Sequence, residues 1–80
     1  MDNKIAVIGI IVDNLDSVET LNKTLHDYSD IIIGRLGLPY KERSINIISV
    51  AVDAPENQII ELTDKISEID GVSSNAAVSK

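Results

Sequence analysis

The sequence predicts an α+β fold, a ferredoxin-like βαββαβ sandwich in which a four-stranded antiparallel sheet carries two helices on one face. Two stretches repeat their apolar residues every three or four positions, and the others alternate or run apolar as strands do, in the order β-α-β-β-α-β. The first and third strands are the longest and most apolar, and right-handed crossovers make those two central. No linker, low-complexity tract or second core is left over, so residues 1–80 are expected to form one domain.

The first strand is "KIAVIGIIVD", an apolar run from Ile5 to Val12 broken by the small Gly9 and bounded by Asp13-Asn14. Ile5, Val7 and Ile11 share one side, and Ala6, Ile8, Ile10 and Val12 the other. In the next segment Leu15, Val18, Leu21, Leu25 and Tyr28 form one face of a helix. Asp16 with Glu19 resembles a capping box, which places the helix start near Ser17. "IIIGRLGL" is the second strand, with Arg35 expected on the side of Ile31 and Ile33, and "PYKER" the connection. Gly34 and Gly37 mark a bulge or a close backbone approach, and Pro39 belongs at an edge or turn. The segment therefore reads as an edge strand bending into a hairpin near Arg35.

"SINIISVAVDA" is the third strand, with Ile48, Val50 and Val52 on one face and Ile45, Ile47, Ser49 and Ala51 on the other. The second helix presents Ile59, Leu62, Ile66 and Ile69, with Pro55 in its first turn and Gly71 past its end. "VSSNAAVS" is a more polar last strand.

Two helices cover one side of such a sheet, yet the first and third strands are apolar on both. A contiguous apolar patch marks an interface, and a domain this small gains margin by oligomerising. A homo-oligomer, dimer or tetramer, is expected, through the open face, the edge strands or both.

Composition narrows the chemistry. With no cysteine there is no disulfide or thiolate metal site, and His26 is the only imidazole. The net charge is −6, and the aromatic residues are two tyrosines. That balance opposes phosphate backbones and lacks stacking platforms, so direct nucleic-acid binding is not expected. The N-terminal apolar run is too short to span a bilayer and lacks the basic start of a secretory signal, which suggests a cytoplasmic protein off the membrane. Asp13, Asp16, Glu19, Asp53 and Glu56 gather at strand-to-helix junctions, where acids ordinarily cap helices. No metal site or cofactor is assigned. Ser44 and Ser49 have no histidine nearby in sequence, and no glycine-rich phosphate loop follows the first strand, so no catalytic residue is assigned. A small ferredoxin-like enzyme, or a purely structural assembly subunit, remains the alternative.

Arg35 offers a planar donor fork suited to a carboxylate or phosphate, or to a salt bridge with Asp13, Asp53 or Glu42. Tyr40 could stack on a ligand or close the hairpin.

"AVIGIIVDN", "GRLGLPY" and "INIISVAVDAP" together resemble the small family of iron-only hydrogenase system regulators, over almost the whole chain. The resemblance implies an ACT-like domain, near the C-terminal effector domain of the nickel-responsive repressor. It implies a regulatory homo-oligomer rather than an enzyme, binding a small-molecule effector or a protein partner. Asn14 and Asp16 match the general location of effector sites in ACT-like domains and join Arg35 and Tyr40 as candidate ligand-binding residues. Two departures follow. The turn "VDNLDSV" lacks the glycine typical of amino-acid-binding ACT domains, and a single histidine does not match the histidine-rich nickel site. The DNA-binding segment of the nickel-responsive relative has no counterpart here, so any effect on DNA is expected to pass through a partner.

Overall fold

The computed structural model describes residues 2–80. The strands are β1 (Asn3–Val12), β2 (Ile32–Tyr40), β3 (Ile45–Pro55) and β4 (Val72–Val78), and the helices are α1 (Val18–Asp27) and α2 (Glu56–Ser67). They follow the expected order, and the sheet order is β2-β3-β1-β4, all antiparallel, with β1 and β3 central.

Alternation in β1 and β3 divides the molecule. Ala6, Ile8, Ile10 and Val12, with Ile48, Val50 and Val52, lie buried beneath the helices. Leu21 and Leu25 of α1 and Ile59, Leu62 and Ile66 of α2 meet them there. Full burial of such a side chain contributes about 1.5–3 kcal/mol, so this single layer holds the fold. The helices are tied to each other by Tyr28, whose hydroxyl donates to Glu61 Oε1 at 2.6 Å. No helix among the described residues is long and apolar enough to cross a membrane.

The structure departs from the sequence expectations in several places. The capping box does not form. Asn14 Oδ1 accepts from the Asp16 backbone N–H at 3.1 Å and caps a short 3-10 turn, Leu15–Ser17, that leads into α1. Ser17 instead sends its hydroxyl to the Asp70 carbonyl at 2.6 Å, and Leu15 stays half exposed because the 3-10 turn rotates it off the α1 stripe. Ile31 sits in a 3-10 turn before β2, while Pro39 and Tyr40 extend the strand. Pro55 ends β3 and occupies the cap position of α2, outside its first turn.

The largest departure concerns Arg35. A register shift between Ile32 and Gly34 leaves Ile33 as an extra, exposed residue, so the strand beyond it changes side. Arg35 pairs opposite the buried Val50 and therefore faces the helix layer, well before the strand's end. The same shift sends Leu36, Leu38 and Tyr40 to the uncovered face, opposite Ser49, Ile47 and Ile45.

Candidate functional site

Three surfaces bring chemically informative residues together. The first is the uncovered face of the sheet. Ile5, Val7 and Ile11 on β1, Ile47 on β3 and Leu36, Leu38 and Tyr40 on β2 all project from it, and Leu36 retains 70% of its exposure. Small residues fill the rest: Ser49 and Ala51 on β3, and Ser73, Asn75 and Ala77 on β4. Across these rows Asp53 is the only charged side chain, although the chain carries 13 acidic and seven basic residues. At its centre Gly9, flanked by Ser49 and Asn75, leaves a dent of about 360 Å³ walled by Ile11 and Ile47. A Cβ added at Gly9 would meet only the Asn75 carbonyl oxygen, 4.0 Å away, so the dent is free space.

The second surface is the groove between α1 and β2 on the helix side. Arg35 Nη2 donates to Asn22 Oδ1 on α1 at 2.9 Å across it. None of the carboxylates that the sequence offered as partners, Asp13, Asp53 or Glu42, pairs with Arg35; among the described residues the one ion pair is Lys65–Glu61 on α2, at 3.7 Å. Lys65 lies 5.3 Å from the centre of the Tyr28 ring, and its pKa is raised, chiefly by the neighbouring Tyr28 side chain, with Glu61 and Asp27 adding to it.

The third is the junction after β1. Asn14 Nδ2 donates to Asp70 Oδ2 at 3.1 Å, the Asp13 N–H donates to the Gly71 carbonyl at 2.7 Å, and Ser17 joins them through the Asp70 carbonyl. Asn14 is thus committed to latching this junction onto the turn before β4. Asp16 lies beside it, exposed. Tyr40 is on the open face, donating to Glu42 at 3.2 Å. Of the four residues singled out from the sequence, Asn14 and Asp16 come together, whereas Arg35 and Tyr40 sit on opposite faces of the sheet. Asn22 and Gly9 were missed. Only the bulge brings Asn22 to Arg35, and Gly9 interrupts an apolar run without announcing a hollow.

Comparison with known proteins accords with this architecture. The family model TM1266-like, described as "Iron-only hydrogenase system regulator, putative", matches residues 4–76. A curated "Putative nickel-responsive regulator" of Saccharolobus solfataricus is 32% identical over 66 residues, 82% of this chain and 49% of that protein. The chain therefore spans about half the length of the curated relative it matches. Among solved structures, the uncharacterized protein TM1266 from Thermotoga maritima superposes with a TM-score of 0.93 at 26% identity, over 99% of this chain and 100% of that one. A formyltetrahydrofolate deformylase from Pseudomonas putida matches with a TM-score of 0.63 at 10% identity, over 91% of this chain but 28% of the enzyme, and shares the fold alone.

Proposed function

The chain belongs to the TM1266-like family of hydrogenase system regulators, and on that premise we propose that it is a cytoplasmic, non-enzymatic, homo-oligomeric ACT-like regulatory module. Its copies associate through the uncovered sheet face, and the assembly acts by binding a small effector or a protein partner. The nickel response named for the Saccharolobus relative is not extended to this chain, which brings one imidazole and no thiol per copy.

The observation that carries this reading is the charge-poor apolar face. Copies with a net charge of −6 repel each other over most of their surface, but not where four strands present one carboxylate. A sheet of four strands about 4.8 Å apart and about 30 Å long offers a footprint of about 600 Å² before side-chain relief, close to what each partner of a stable complex contributes. A face that meets its own copy about a twofold axis needs a projection and a recess on the same surface. Leu36 and the dent over Gly9 are such a pair.

Gly9→Ile tests this directly. The new side chain has room in the isolated chain and replaces a glycine in a central strand, so a monomeric background gains about 1 kcal/mol in denaturant unfolding. The same side chain fills the recess, so self-association measured by light scattering weakens roughly tenfold or more. Association at wild-type strength would mean that the dent lies outside the contact.

A further inference from the structure

We propose that the groove between α1 and β2 binds a small organic monocarboxylate with an apolar tail, its head held by Arg35 and Asn22. The site deepens the effector reading and rests on it for its regulatory meaning, though not for binding itself.

Arg35 lies across the groove on a neutral amide, with no carboxylate in ion-pair reach among the described residues. In a chain with 13 acidic and seven basic side chains, a guanidinium left so paired keeps most of its N–H donors unused. Its bond to Asn22 Oδ1 also orients that amide, leaving Asn22 Nδ2 without a partner among the described residues. A planar fork with an adjacent amide donor matches the two oxygens of one carboxylate. One guanidinium balances one negative charge. A phosphate dianion would keep an excess charge beside a chain already at −6 and is the poorer match.

The tail has a place to go. Arg35 and Asn22 form the rim of a hollow of about 240 Å³ whose apolar walls include Val18, Pro39 and Ile48. Gly37 also lines it, facing the helix layer opposite Ile48, and an added Cβ there would meet nothing within 4 Å. A hollow of that size suits a chain of a few carbons beneath a polar head, the usual division in ligand sites. Glycine at position 37 leaves the hollow open, and the bulge at Ile33 turns Arg35 toward it.

The test is an amide NMR titration of the full chain with sodium hexanoate, with acetate and inorganic phosphate as comparison probes. Hexanoate is expected to give saturable shifts centred on Asn22, Arg35 and Gly37, tighter than acetate and tighter than phosphate. Arg35→Gln and Gly37→Leu, the first removing the grip and the second filling the hollow, each weaken binding by about tenfold or more while the rest of the spectrum stays native. Failure to saturate, unchanged affinity in Arg35→Gln with the fold intact, or tighter binding of phosphate would overturn the proposal. Light scattering on the same samples separates the two readings. A monomer that binds hexanoate defeats the assembly and leaves the site standing, whereas an oligomer that binds none defeats the site alone.

Discussion

Ile11→Asp is expected to convert the proposed homo-oligomer into single chains without unfolding them. Ile11 stands beside the central dent and is nearly half exposed in the isolated chain, so the carboxylate stays hydrated in the monomer. In the associated state each copy would carry an unpaired charge into a water-excluded contact, at a cost of several kcal/mol per buried ion. That is a loss of more than a hundredfold in association. The monomer itself gives up β-propensity at a central strand, about 1 kcal/mol, and keeps its far-ultraviolet spectrum. Ile60→Asp is the matched control. Ile60 is 51% exposed on α2, away from the open face, and the same change there should leave the mass of the assembly untouched. Equal loss of association in both variants would point to added charge in general and away from this face.

Gly71→Ala is expected to cause the largest loss of stability of any single methyl addition at a glycine. Gly71 has φ +69°, where an L side chain costs about 1–2 kcal/mol. Its Cβ would also fall 2.5 Å from Asn14 Cβ and 3.0 Å from the Asn14 backbone nitrogen. The latch gathered there, Asp13 N–H to the Gly71 carbonyl and Asn14 to Asp70, would have to shift, and overpacking of that kind costs about 1–3 kcal/mol. Together these predict a loss of roughly 2–5 kcal/mol, a Tm lower by roughly 8–40 °C in a domain of this length. Gly34→Ala, where an added Cβ meets nothing within 4 Å, should change Tm by only a few degrees. Similar Tm values for the two variants in thermal unfolding would show that the junction tolerates crowding.

What could be read from the sequence, and what could not, has a physical division. Two-sided apolar strands such as Ile5–Val12 state their own burial, because alternation has a fixed period, and the same pattern exposes the face left uncovered. Helix faces built on Leu21, Leu25, Ile59, Leu62 and Ile66 are equally local in origin. Arg35 was misplaced because one extra residue, Ile33, reverses every side chain beyond it, and glycines advertise a bulge without giving its register. The helix start near Ser17 was legible, but the Asp16–Glu19 capping box was not the device that holds it: Ser17 bonds the Asp70 carbonyl, 53 residues away, and no local cap rule contains that contact. The pairing of Arg35 with Asn22 depends on both effects: a bulge and a packed helix.

The most direct measurement is sedimentation equilibrium of the wild-type chain at micromolar concentration. A mass of two or four times 8.7 kDa, reduced to a single chain by Ile11→Asp, is the predicted result. A wild-type chain that sediments at 8.7 kDa up to the highest soluble concentration would contradict assembly through the open face.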